Sequence, residues 1–307
     1  MPVVSDAERR AREPRPRWAL AIAGGCALLA AATAFAATAA GAGREVAPRR
    51  FAAGSCVAFA PLGPQRHHAT VFLDAGHGGP DPGAVGVTSA GRPVHEADET
   101  LRVVLDAVPL LRARGYRVVV SRTTAGAVAR PAPGDLSGGL FTGQGVHRDL
   151  IARDACANRS HAAVLIGVYF NAVVDAGVGG SVTLYDASRP FWRSSQALAL
   201  LVQRDVLERF RAAGTGVPDD GVHNDVGYGS AVTTADRSYH HLLILGPAKR
   251  GYFSAPSLMP GALIEPLFIT NPQEASLADS RRGQEAMAQG LARAAAQFLG
   301  AGRRSVA

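Results

Sequence analysis

One histidine in a glycine-rich turn and two glutamates distant from it in the chain carry the strongest chemical signal. His77 sits in Leu73-Asp74-Ala75-Gly76-His77-Gly78-Gly79-Pro80-Asp81-Pro82-Gly83-Ala84, where an apolar strand-like run breaks into small residues and proline. Glycines at such a place let the backbone approach whatever the histidine holds. Glu96 follows nineteen residues later, just ahead of a helical pattern. An imidazole and a carboxylate on adjacent loops make a usable half of a zinc site, although interaction with the helix dipole would by itself account for a carboxylate there. Glu265 lies within Pro260-Gly261-Ala262-Leu263-Ile264-Glu265-Pro266-Leu267-Phe268-Ile269, an otherwise apolar strand. A carboxylate in that setting costs stability unless it has a task. Asp74 and Asp81 read as turn-forming side chains of a Gly-Pro-rich loop. Arg122 and Arg153 read as members of structural ion pairs, and Asn158 and Asn171 as candidates to support the site.

The elements that must position these residues follow from patterning. Apolar strand-like runs cover 69–74, 116–121, 163–169, 181–185, 242–245 and 262–269. They alternate with helical stripes: Leu101, Val104, Leu105, Val108 and Leu111 fall at helical spacing, and further helices are expected over 196–212 and 283–299. Strands alternating with helices predict an α/β fold, a single domain with a central, mostly parallel sheet flanked by helices. The Gly-, Pro- and Ala-dense stretch 124–147 is expected to be a long surface loop beside the site.

The 307 residues, 47% of them hydrophobic and 19% charged, are enough for one sizeable core. The net charge of +7 describes no nucleic-acid face, because residues 1–50 alone hold eight arginines against four acids. Residues 1–17 form a basic arm expected to be cytoplasmic, and 18–40 form a run without a charged residue, long enough to span a bilayer. That run is read either as a retained transmembrane signal-anchor or as a cleaved signal peptide, since Ala34-Phe35-Ala36 and Ala37-Thr38-Ala39 have the small-x-small form of a cleavage site. Residues 41–67 are expected to be a tether and 68–300 the catalytic domain. Beyond Cys26 in the apolar run, only Cys56 and Cys156 remain. Both a bridge between them, suited to an oxidising compartment, and two free thiols stay open.

Taken together, DAGHGGPDPGAVG at 74–86, Glu96 ahead of its helix, VVVSRTT at 118–124, Arg153 with Ala157-Asn158, Asn171-Ala172 and ALIEPLFITNPQEASL at 262–277 resemble the zinc-dependent N-acetylmuramoyl-L-alanine amidases with an amidase type 3 catalytic domain. The resemblance spans His68 to Leu299. It implies one Zn2+ ion held by His77 and Glu96, with Glu265 as catalytic general base. It also implies peptidoglycan as the substrate and hydrolysis of the amide between N-acetylmuramic acid and L-alanine of the stem peptide. Members usually carry Ser-Ile-His-x-Asn where this chain has Gly167-Val168-Tyr169-Phe170-Asn171. The third metal position is therefore open between Tyr169 as a phenolate, one of His240, His241 and His223, or no ligand at all. The expected protein is a cell-envelope hydrolase, extracytoplasmic and either single-pass or secreted, that binds no nucleic acid and meets the membrane through its N-terminal segment. The alternative is a catalytically inactive wall-binding or regulatory protein on the same fold.

Overall fold

The computed structural model describes residues 43–64, 66–227 and 238–304. The basic arm and the apolar run 18–40 lie outside the described residues. In chain order the elements are β1 (Arg44–Glu45), β2 (Ser55–Phe59), β3 (Thr70–Ala75), β4 (Val85–Val87), β5 (Pro93–His95), α1 (Glu96–Ala113), β6 (Arg117–Arg122), β7 (Leu136–Ser137), β8 (Leu140–Phe141), α2 (Gly143–Arg159), β9 (Val164–Val168), β10 (Ser181–Tyr185), α3 (Trp192–Ala212), β11 (Asp219–Asn224), β12 (Gly261–Glu265), α4 (Pro272–Ala278) and α5 (Arg281–Arg304).

Eight strands form one sheet in the order β1-β2-β6-β3-β9-β12-β10-β11. The pairs β6/β3, β3/β9, β9/β12 and β10/β11 are parallel, while β1/β2, β2/β6 and β12/β10 are antiparallel. The mostly parallel sheet of an α/β domain is therefore present. Its central strands are buried on both faces, as expected for parallel strands covered from either side.

Alternate side chains along each strand go to different cores, following the period of two. Val71, Leu73, Val118, Val120, Ile166 and Ile264 pack against α1, α3 and α5. Phe72, Val119, Leu165, Leu263, Val182 and Leu184 pack on the other face, where Cys156 and Ala157 of α2, Phe51 and the pair Ile244-Leu245 cover them. One face thus carries three helices, and the other a single helix plus irregular chain.

Two expectations are corrected, and one strand, β11, goes unmarked by the patterning. The expected tether 41–67 supplies β1 and β2, which join the sheet beside β6; the short apolar run of β2 is masked in sequence by flanking Ala, Gly and Pro. The run 242–245 is not a strand but a turn, with Leu245 and Gly246 both donating to the Leu242 carbonyl. Its apolar residues are buried by lying on the sheet rather than by pairing within it. β11 was hidden in a polar, turn-rich stretch because an edge strand needs few apolar side chains.

Cys56 and Cys156 form a disulfide that closes a loop of 100 residues between β2 and α2. Replacing both by serine should lower the unfolding free energy by about 2–5 kcal/mol, because the unfolded chain regains the entropy that the crosslink removes. Urea unfolding of the double variant beside the oxidised wild type measures this; coincident transitions would show the bridge to be without consequence.

Candidate active site

The C-terminal ends of β3, β9 and β12 lie at one edge of the sheet because the three strands are parallel neighbours. His77 follows β3, Tyr169 follows β9 and Glu265 ends β12. Glu96 is the first residue of α1, which enters the same edge after the hairpin β4/β5.

Where β3 ends, the backbone carbonyls lose their sheet partners, and two buried arginines take them over. Arg122, in β6, donates to the carbonyls of Ala75, Gly76, Ala97 and Thr124. Arg153, in α2, donates to the carbonyls of Ala75 and His77 and pairs with Asp74 and Asp149, each at 2.8 Å. His77 itself adopts a left-handed backbone, φ +58°, a conformation that costs a non-glycine residue of order 1–3 kcal/mol and persists only where the surroundings fix it. The arginine bonds to its carbonyl and to those just before it supply that fixation.

The His77 ring is held from both sides. Its Nδ1 is 2.8 Å from Asp81 Oδ2, and its Nε2 is 3.0 Å from Glu96 Oε1. With Nδ1–H donated to Asp81, a neutral ring turns its Nε2 lone pair toward Glu96. Asp81 forms the expected Asx turn by accepting from the Gly83 amide through Oδ1, while its other oxygen orients the histidine. Glu96, 3% exposed, accepts from the amides of Ala84 and Phe170. A side chain at Gly83, φ +66°, would press within 2.8 Å of both Glu96 and the His77 ring, so only glycine leaves that pair its room.

The charges are strongly coupled. Burial opposes protonation of His77, yet Glu96 and Asp81 overcome it and raise the imidazole to about 10. Burial, reinforced by the Glu96 charge and opposed by His77, pushes the Glu265 carboxyl up to about 7. Asp81 is held below the ordinary aspartate value; its burial works upward but the His77 contact outweighs it.

Tyr169 makes an edge contact with the His77 ring, with centroids 5.3 Å apart. Its hydroxyl donates to Asp74 Oδ2 at 2.9 Å. Burial and the Asp74 charge raise the phenol well above its ordinary value. The ring also lies against Gly76, where a Cβ would stand 2.6 Å from it.

The histidines named as substitutes lie elsewhere. β10 and β11 run opposite to β12, so their C-terminal ends reach the far edge of the sheet. His241 is there with Asp186 and Asp225. His223 is in β11, with Nε2 2.6 Å from the Asp220 carbonyl oxygen, and the His240 carbonyl accepts from the Gly227 amide. Asn158 ties α2 to Pro256 and Leu258, while Asn171 forms a bridge with Phe268 just beyond β9. Asp81, expected as a turn former, also holds the His77 ring through its second oxygen. Its signal was a carboxylate four residues after the histidine.

A cavity of about 160 Å³ opens on the sheet face that carries α2. Polar His77, Asp81, Tyr169 and Glu265 line it together with apolar Leu242, Leu243, Ile244 and Leu263. In the metal-free protein the Glu265 carboxyl should titrate near 7, so that it is a base above that pH and an acid below it. Substituting Glu96 with Gln should move the midpoint down by removing the like charge. Carbon-13 NMR of labelled glutamate reads both; a wild-type midpoint near 4.5 would contradict the buried, charge-coupled placement.

Comparison with known proteins places the chain in a family. Residues 71–297 match the family profile described as N-acetylmuramoyl-L-alanine amidase. The germination-specific N-acetylmuramoyl-L-alanine amidase of Bacillus subtilis (strain 168) is 26% identical over 221 residues, 72% of this chain and 76% of that protein. Among solved structures, the CwlD amidase of Clostridioides difficile, determined in complex with the GerS lipoprotein, superimposes with a TM-score of 0.56 at 20% identity, over 76% of this chain and all of that one. The amidase AmiC2 of Nostoc punctiforme gives 0.52 at 22% identity, over 76% and 97%. These two likenesses concern the fold, and the profile match across most of the chain decides the family: the protein belongs to the N-acetylmuramoyl-L-alanine amidases, the hydrolases of the peptidoglycan stem-peptide amide.

Proposed function

We propose that the amide between N-acetylmuramic acid and L-alanine is cleaved in the cavity at the His77–Glu96 pair, with Glu265 as general base. The observation that carries this reading is a carboxyl raised to about 7 at the end of an apolar strand, electrostatically coupled to His77 and Glu96 and facing the same cavity. A base is most effective when its pKa lies near the working pH.

The donor set fits a zinc ion at two protein positions. The 3.0 Å between His77 Nε2 and Glu96 Oε1 is close to the roughly 3.3 Å edge of a tetrahedron with ligands about 2.0–2.1 Å from the metal. Asp81 behind His77 is the carboxylate that commonly orients a metal-bound imidazole. Zinc, when bound, supplies Lewis acidity that polarises the scissile carbonyl. The chain's own groups do the rest. Glu265 takes the proton from the attacking water and returns it to the departing amine nitrogen. The leucine and isoleucine wall restricts water around the amide, and Asp81 keeps the His77 ring from turning.

For Tyr169 we infer a neutral, positioning role: its hydroxyl is engaged by Asp74, and burial disfavours the phenolate. Two protein donors in place of three imply a zinc affinity below that of a three-ligand site. The inactive alternative predicts no metal and no turnover.

The amidase is proposed to act outside the cytoplasm, anchored or released through residues 18–40. Five arginines precede that run, and the Cys56–Cys156 bridge suits an oxidising compartment. Among the described residues no helix is long and apolar enough to cross a membrane.

Glu265→Gln should reduce cleavage of muramoyl peptides by about 10²–10⁴-fold while retaining metal, whereas His77→Ala should lose the metal bound at this edge. Amine release and metal content measured on the same preparations test both, and wild-type turnover by Glu265→Gln would refute the base assignment. Tyr169→Phe should leave metal content unchanged, and Tyr169→His should raise zinc affinity by adding an imidazole. A parallel loss of zinc and turnover in Tyr169→Phe would instead restore the phenolate as ligand.

A further inference from the structure

At the edge of the sheet opposite the catalytic residues, three side chains from three segments converge. Asp186 follows β10, Asp225 follows β11, and His241 precedes the turn whose residues Leu242, Leu243 and Ile244 wall the cavity. Asp186 is 2% exposed and Asp225 fully buried. Their placement is set from behind by half of each carboxylate. Asp186 Oδ1 accepts from the amide and hydroxyl of Ser188, and Asp225 Oδ2 accepts from the Leu242 amide at 2.9 Å. The remaining oxygens face His241: Asp186 Oδ2 lies 2.8 Å from its Nδ1, and Asp225 Oδ1 lies 3.2 Å from the same atom.

A single Nδ1 hydrogen can serve only one of the two. When it serves Asp225, whose contact has hydrogen-bond geometry, the buried Asp186 Oδ2 is left without a hydrogen-bond partner despite its short distance to the ring. An anionic oxygen so placed is costly, because desolvation is not repaid. Arg189 offers Asp186 electrostatic support, but its guanidinium donates to the carbonyls of Leu245, Gly246 and Ser257.

One ion in place of one proton would satisfy all three atoms together, and we propose that Asp186, Asp225 and His241 bind a second divalent cation. The three donor atoms lie within 4.8 Å of one another. The two shorter separations, 2.8 and 3.2 Å, fall within the roughly 2.8–3.6 Å spanned by octahedral and tetrahedral edges between ligands about 2.0–2.2 Å from a metal. One imidazole beside two carboxylates selects an ion of the zinc or manganese class, since calcium and magnesium prefer oxygen throughout. The partial exposure of His241 leaves a path for the ion and for completing waters. Bound there, the cation joins the ends of β10 and β11 to the segment that forms the apolar wall, acting as a clamp at a distance from the chemistry.

Zinc content of the whole protein, dialysed against micromolar free Zn2+, tests this. His241→Ala should hold one equivalent fewer than wild type, and Asp186→Asn should match it. In a His77→Ala/Glu96→Gln background, which silences the catalytic pair, one equivalent should remain and should disappear on adding His241→Ala. Zinc should also raise the melting temperature of that background but not of its His241→Ala derivative. Equal zinc content in wild type and His241→Ala would overturn the proposal. So would an imidazole that NMR finds protonated at neutral pH and unaffected by Zn2+ or Mn2+, since the proton would then occupy the place assigned to the ion. Failure of the catalytic-pair assignment would appear separately, as zinc content insensitive to His77→Ala.

Discussion

The buried cation of Arg153, set between Asp74 and Asp149, is the interaction on which the edge of the sheet that carries His77 depends. Taking charges from water costs several kcal/mol per ion, and the cost is offset only by close pairing and full hydrogen bonding. Arg153 meets both conditions, with two carboxylates and two backbone carbonyls around one guanidinium. Arg122 completes the arrangement without a carboxylate of its own; burial and the neighbouring Arg153 lower it to about 10, and it stays charged. The two arginines turn the frayed end of β3 into a rigid platform, so the strained backbone of His77 is held by contacts behind it rather than by any ligand in front. Asp74 connects this platform to Tyr169, which explains how the aromatic ring and the histidine remain in fixed register.

The uneven covering of the sheet makes the cavity. Three helices seal one face, but on the other α2 and the turn near Ile244 leave a gap over β9 and β12. Glu265 points into that gap because it shares the face of Leu263, two residues earlier in the strand. Had the apolar pattern of β12 been shifted by one residue, the same carboxylate would lie under α1, α3 and α5, where no substrate could reach it.

Sequence patterning disclosed the central strands because parallel strands buried on both faces read as continuous apolar runs. It failed for β2 and β11 at or near the margins, where tertiary pairing rather than composition makes the strand. It also failed for 242–245, since an apolar run of four cannot by itself distinguish a strand from a turn laid on a sheet. His77, Glu96 and Glu265 were legible through their unusual surroundings. The roles of Asp81 and Asp74 were not, because an Asx turn explained them sufficiently and only folding reveals which way their second oxygens face. His241 could serve as a third metal ligand only if its segment reached the edge that holds His77. The reversal of direction at β10 carries it to the other.

The crosslink between Cys56 and Cys156 reaches from a strand near the start of the described domain to a helix that carries Arg153 and Asp149. Its formation requires an oxidant, so the stiffness it lends to α2 arrives only after the chain has left a reducing environment. The Arg153 contacts make the platform beneath His77 by folding alone, and the bridge adds a covalent restraint on α2 in an oxidising compartment. The last covalent restraint on the helix that carries Arg153 is thereby tied to the redox state of its surroundings.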